Sequence, residues 1–151
     1  MTVIEYKKKL SSTSSTPHKA RTKGKRATGG RNSQGRITAW YRGAGHKRKY
    51  RDIDFTYNKK EIPAVIESIE YDPYRSGFIA LVLYQDGERR YVLVPRRMQV
   101  GDTFVVSATA KATTGNRLPL GAMPIGTFVY NVELKPGAGA RIARSAGNYA
   151  E

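Results

Sequence analysis

The sequence has no cysteine, which removes disulfide frames, thiolate metal sites and cysteine nucleophiles at once and permits a reducing interior. Its two histidines, His18 and His46, have no Asp or Glu at a spacing suited to a metal site or a triad. No apolar run approaches the ~20 residues of a membrane span, and Met1 to Leu10 lacks the apolar core of a secretory signal. The expectation is a soluble, intracellular protein with no membrane partner. No run long enough to be a helix sustains a 3.6-residue apolar period. The sharpest absence is of negative charge: no acid occurs from Tyr6 to Arg51.

These gaps leave little for catalysis. The stretch "TKGKRAT" lacks the first glycine of a phosphate-binding loop. Asp52 and Asp54 share one face of a short predicted strand, but carboxylates inside so basic a segment read as local charge partners rather than an acid pair. The protein is therefore expected not to be an enzyme and to need no metal or cofactor.

What is present is positive charge, concentrated in one part of the chain. Residues 1–60 hold 17 Lys/Arg against three acids, a balance of +14, whereas residues 61–151 hold 10 against nine, or +1; together they give the net charge of +15. A polyanion is the leading partner class. Residues 7–36 are rich in Lys, Arg, Ser, Thr and Gly with almost nothing apolar to bury, so they are expected to form an extended arm that orders only on a partner. Within "RNSQGRITAWYRGAGHKRKYR", seven cations (Arg31, Arg36, Arg42, Lys47, Arg48, Lys49 and Arg51) stand beside Trp40, Tyr41 and Tyr50. Lysine and arginine neutralise phosphates with release of counterions, glycine lets backbone approach a phosphate ribbon, and rings stack on bases. Trp40 and Tyr41, adjacent in a predicted strand, are expected to face opposite ways, one into the core and one free to stack.

From Ile37 onward, short apolar runs recur about every ten residues: "ITAWY", "YRDIDF", "IPAVIESIEY", "GFIALVLY", "RRYVLV" and "TFVVSA". That spacing predicts a small all-β barrel or sandwich. Asp86-Gly87 marks a hairpin, and Pro73 and Gly77 mark a turn carrying Arg75 at its tip. Both alternating faces of "GFIALVLY" are apolar, which predicts a central strand covered on both sides. After Ser107 the chain loosens, and "TFVYNVEL" then leads into the glycine-rich "KPGAGARIARSAGNYAE".

The strings "GRNSQGRIT", "GAGHKRKYRDIDF", "IPAVIESIEYDPYRSGFIALVLYQDGERRYVLVP" and "LPLGAMPIGTFVYNVELKPGAGARIARSAG" closely resemble, in this order, the universal large-subunit ribosomal protein L-two (uL-two) family in its bacterial or organellar form, over roughly residues 29–149. The resemblance implies a basic arm over 1–36, an OB-like five-stranded barrel over 37–110, and a connection leading into the start of an SH3-like barrel over 111–151. The function it implies is that of a structural constituent of the large ribosomal subunit, binding large-subunit rRNA and supporting subunit assembly and the peptidyl-transferase region. Neighbouring ribosomal proteins would be its other partners, in a bacterial cytoplasm or an organelle. A free-standing OB-type RNA-binding or ribosome-assembly protein is the alternative.

Arg75 and Arg144 match family positions that contact rRNA. The basic stretch adds Arg31, Asn32, Arg36, Arg42, His46, Lys47, Arg48, Lys49 and Arg51, and Arg89, Arg90, Lys135 and Arg141 complete the expected RNA-binding set. Two departures stand out. Where the family usually shows "GGGHK", this sequence has Gly43-Ala44-Gly45-His46-Lys47. The family also continues beyond the point where this sequence stops, so the second barrel is expected to be begun and not completed, with a second chain as one source of the remainder.

Overall fold

In the computed structural model, residues 16–25, 27–43 and 45–151 are described. Strands and irregular segments account for nearly all of them, with two single-turn 3-10 helices at Lys19–Arg21 and Leu120–Ala122. The all-β expectation holds: the principal sheet is four-stranded and antiparallel, in the order β5-β4-β3-β6, from β3 (Ala64–Glu70), β4 (Ile79–Tyr84), β5 (Arg89–Leu93) and β6 (Thr103–Phe104).

The β4–β5 hairpin turns at the expected place. Tyr84 N–H donates to Glu88 O at 3.0 Å, and Gly87 sits at φ +85°, a left-handed value that glycine tolerates without a Cβ clash. A register shift between Ile66 and Ser68 of β3 puts a bulge in the middle of the sheet, which raises local twist. Ile53 forms a parallel bridge to Tyr91 on the β5 edge, and Val106 forms another to Arg117 beyond β6, so both edges are extended by irregular backbone and the sheet curls into a partial barrel.

β4 is the central strand that its sequence predicts. Ala80, Val82 and Tyr84 face a cluster with Ile66, Val92, Met98 and Phe104, while Ile79 and Leu81 face a second cluster with Ile53, Tyr91 and Leu93. Removing a side chain of this size from water stabilises by about 1.5–3 kcal/mol, so two clusters back to back on one strand make it the fold's main hydrophobic seam.

Two two-stranded ribbons lie outside this sheet among the described residues. β1 (Thr22–Gly24) pairs antiparallel with β2 (Lys49–Arg51), bringing the two ends of the basic region together as a ribbon. Within the segment expected as an arm, Lys19–Arg21 form a 3-10 turn and Thr22–Gly24 a strand, and this part docks through polar groups: His18 N–H donates to the Tyr91 hydroxyl at 2.8 Å, Arg21 Nε donates to Arg89 O at 3.1 Å, and Arg21 pairs with Glu88. Polar contacts replace the missing hydrophobic surface. The earlier part of that arm, residues 1–15, lies outside the described residues.

Further along, β7 (Val132–Glu133) and β8 (Ala140–Ile142) form a short ribbon, extended by a bridge between Val129 and Ala150. This unit is tied to the first barrel. Ala140 N–H donates to Phe55 O at 2.8 Å, Asn131 Nδ2 donates to the buried Tyr57 hydroxyl at 3.2 Å, and the Arg117 guanidinium lies 4.5 Å from the Tyr57 ring centroid while pairing with Glu133.

Candidate nucleic-acid interface

The loop between β1 and β2, with the first residue of β2, carries eight of the fifteen residues expected to bind RNA, and main-chain bonds shape it. Arg31 and Ile37 form an antiparallel bridge, and the Asn32 side-chain oxygen accepts from the N–H groups of Gln34 and Arg36 at 3.0 Å each. Gly30 O accepts from the N–H groups of Thr38 and Ala39 at 3.0 and 3.2 Å. A Cβ on Gly30, at φ +77°, would stand 2.1 Å from Ala39 O. Only glycine permits so close an approach.

On this frame Arg31, Asn32, Arg36, Arg42, His46, Lys47, Arg48 and Lys49 are all exposed. Among the described residues none of these cations joins an ion pair with an acid; Arg48 donates to Pro73 O at 3.3 Å, which ties the loop to the turn at 72–77. Lys25 lies 5.7 Å from the ring centroids of both Tyr50 and Tyr74, which meet edge to face at 5.6 Å. Lysine over two rings beside a basic ribbon is a feature the sequence reading missed, because Tyr74 is 24 positions from Tyr50 in the chain.

Trp40 and Tyr41 overturn their expectation. Neither lies in a strand, and both are exposed, at 78% and 104% of full accessibility. The alternation rule presumes extended backbone, but Tyr41 has φ +58° and the chain turns there.

The arginines from the sheet and its turns are placed differently. Arg51 is buried, with its guanidinium 3.9 Å from the fully buried Asp72 carboxylate. Arg75 donates through Nε to the same carboxylate at 2.6 Å. Arg89 grips Glu67 with two bonds of 2.7 and 2.8 Å. Arg90 bonds Asp54 at 2.7 Å and Glu88 at 2.9 Å. Burial alone would raise the Asp54 carboxyl, but bonds from Arg90, Thr56 and Tyr57 outweigh it and hold that pKa below the usual value. Hydrogen bonds from Arg90 and then Lys59 bring Glu88 down to about 2. The expectation that Asp52 and Asp54 serve as charge partners holds: Asp52 pairs with Lys23 at 3.3 Å and Asp54 with Arg90.

The loops bearing Arg75 and Arg144 meet. The Arg144 guanidinium lies 3.6 Å from the centroid of Phe55 and that of Arg75 lies 5.7 Å from it, while Ala146 N–H donates to Ser76 Oγ at 3.2 Å. One ring thus carries an arginine from each of two loops nearly seventy positions apart in sequence. Arg144 remains exposed, as do Lys135 and Arg141 on the β7–β8 ribbon.

A strongly basic loop with free guanidinium groups and exposed rings has the chemistry of a phosphate- and base-binding surface. Two family models match in sequence. Residues 18–107 match "Ribosomal Proteins L2, RNA binding N-terminal domain", and residues 113–151 match "Ribosomal Proteins L2, C-terminal domain". The chain belongs to the ribosomal protein L2 family. Relatives named large ribosomal subunit protein uL2 include those of Granulibacter bethesdensis (55% identical), Nitrobacter winogradskyi (56%) and Hyphomonas neptunium (53%), each over 135 residues that make up 89% of this chain and 49% of the relative. The chain spans about half the length of the curated relatives it matches.

Proposed function

We propose that the chain is a structural RNA-binding component of the large ribosomal subunit, without enzymatic activity, that docks on large-subunit rRNA and supports assembly of the subunit and its peptidyl-transferase region. One observation carries the reading beyond family membership: the cations of residues 31–49 are exposed and have no acid partner among the described residues, an arrangement that leaves their field for an external polyanion. Arg31, Asn32, Arg36, Arg42, His46, Lys47, Arg48 and Lys49 make the main phosphate contacts. Arg144 adds a contact from its stack on Phe55, and Lys135 and Arg141 extend the surface along β7–β8. Arg51, Arg75, Arg89 and Arg90 chiefly hold acids of the fold, and reach RNA only with the donors those acids leave free.

In this reading residues 1–36 are an RNA-directed arm whose root, from His18 to Gly24, is anchored on the first barrel. The ribosome is that of a bacterial cytoplasm or an organelle. Exposed Ile125, Phe128, Leu134 and Tyr149 around the β7–β8 ribbon support a covering polypeptide equivalent to the rest of the longer relatives, as a second chain or as continuing sequence. The test is co-sedimentation. The protein should travel with large subunits through a moderate salt wash, and a pool that stays free and binds unrelated RNAs equally well would favour the free-standing RNA-binding alternative.

A further inference from the structure

We infer that Trp40 and Tyr41 form a stacking site for an unpaired nucleobase, so that the basic loop grips RNA by base faces as well as by phosphates. The inference rests on the RNA-binding reading above and assigns roles that charge alone does not require. Both rings stand in water, at 78% and 104% of full accessibility, and neither belongs to either hydrophobic cluster of the fold. The loop is not slack. Gly30 O fixes the N–H groups of Thr38 and Ala39, immediately before Trp40, and the 2.1 Å approach that a Gly30 Cβ would make to Ala39 O shows how tightly the two backbones are packed. Tyr41 is held at φ +58°, a conformation that a bulky aromatic residue seldom takes and that sends the chain away after Trp40. A braced backbone is thus presenting two large flat side chains outward.

The chemistry of the occupant follows from what surrounds the rings. Arg31, Arg36 and Arg42 share the loop, are exposed, and have no ion pair among the described residues, and no acid occurs in the sequence from Tyr6 to Arg51. An apolar protein surface seated on Trp40 would desolvate those guanidinium groups with nothing to meet them. A single-stranded RNA segment answers both needs, since every base has a π face and every nucleotide a phosphate.

Trp40 is the only tryptophan, so the tryptophan emission of the full chain, excited where its ten tyrosines do not absorb, reports this site. The chain would be titrated with an oligoribonucleotide of about 12 nucleotides, within the span of single-strand binding surfaces, and with an abasic ribose-phosphate strand of equal length. The base-bearing strand should quench Trp40 strongly, and the abasic strand should bind with little quenching. Trp40→Ala and Tyr41→Ala should each weaken the base-bearing strand by about 5- to 150-fold, the range for loss of one base–aromatic stack, while leaving the slope of log affinity against log salt unchanged. Trp40→Phe should retain most of the affinity, and circular dichroism of each variant confirms folding. Equal quenching by both strands, or alanine variants that bind as tightly as the parent, would overturn the stacking site while leaving RNA binding intact. Absence of RNA retention on a filter, at low salt, would instead remove the RNA-binding reading on which the site depends. Emission that responds to large-subunit proteins and not to RNA would make the two rings a protein contact and also overturn the site.

Discussion

Arg90 and Arg42 are the same residue in two parts of the molecule that use charge in opposite ways. In the curled sheet, Arg51, Arg75, Arg89 and Arg90 each meet a carboxylate, and Asp54, Glu67, Asp72 and Glu88 are held in turn. In the loop between β1 and β2, Arg31, Arg36 and Arg42 meet none among the described residues. Counting cations therefore misjudges a binding surface. The informative quantity is where the acids are: in the sheet the arginine field closes on itself within a few ångströms, whereas the loop's field extends outward, screened only by salt.

The strongest way to break this contrast is to empty the loop of charge. Replacing Arg31, Arg36 and Arg42 together with Gln should weaken rRNA binding about a hundredfold at 0.1 M salt, as expected from counterion release of about 0.7 per single-strand phosphate contact. The slope of log affinity against log salt should fall by about 2. The midpoint of urea unfolding should not move, because among the described residues these side chains join no ion pair. A filter-binding series across salt concentrations, beside an unfolding curve, tests both halves, and a large loss of stability would show that the loop arginines are structural after all.

The complementary change is Arg90→Ala. It strips the half-buried Asp54 and the hub residue Glu88 of charged hydrogen bonds, so a destabilisation on the order of 2–3 kcal/mol is expected, read from urea unfolding. Affinity for RNA, measured where the variant is fully folded, should hardly change. A variant as stable as the parent but weak on RNA would move Arg90 to the other side of the comparison.

How far the sequence foretold these two regions follows from what each is made of. The β4 strand was legible because both parities of Ile79–Tyr84 are apolar, and the Asp86-Gly87 turn because glycine is the residue that tight hairpins need. The run "ITAWY" misled, since its alternation fits a strand, but the chain there is governed by Gly30 bonding to Thr38 and Ala39 and by the left-handed Tyr41, contacts that no local pattern records. "TFVVSA" likewise yields only the two residues of β6, the rest of the run joining through a bridge at Val106. The basic surface was legible as composition. Which arginines stay free was not, because Asp54 and Arg90 are 36 positions apart and Glu67 and Arg89 are 22 apart.

Arg75 and Arg144 stand on the boundary between the regions and sharpen the contrast at smaller scale. Both lie over Phe55, but Arg75 is also bonded to the fully buried Asp72. Lysine keeps the charge and loses the planar fork. Arg144→Lys should cost about 1 kcal/mol of rRNA binding through loss of the bidentate grip, with only a few tenths of a kcal/mol of stability lost from the weakened contact with Phe55. Arg75→Lys should instead lower stability by about 1 kcal/mol, since Asp72 keeps a weaker partner. If the two variants behaved alike in both assays, the junction at Phe55 would belong wholly to one region.

The smallest effect comes from protons, and it separates the regions by what they can titrate. Glu88 is brought from the ordinary glutamate value of 4.5 to about 2 by bonds from Arg90 and Lys59, and Asp54 is also held low, its bonds outweighing the opposing effect of burial. A carboxyl whose pKa is depressed on folding adds stability that is fully present above its unfolded value and disappears as pH falls through its folded value. Glu70 works the other way: burial raises its pKa, outweighing a bond from Tyr91 and the nearby charge of Arg51, so its neutral form suits the fold and its contribution favours low pH. The depressed groups outnumber it, with Glu67 also lowered, chiefly by its bonds from Arg89. The urea midpoint should therefore be flat near neutrality and decline as pH falls from about 4.5 towards 2, the window set by Glu88. Because Glu88 lies near the surface, solvent screens its share and the decline should be shallow. Glu88→Gln should make it shallower still, whereas Arg31→Gln should leave the curve's shape untouched, since the loop contains no carboxyl to release. A Glu88→Gln protein whose acid limb matches the parent's would show that the hub around Arg90 does not couple protons to folding, and the sheet's ion pairs would then be bystanders to its stability.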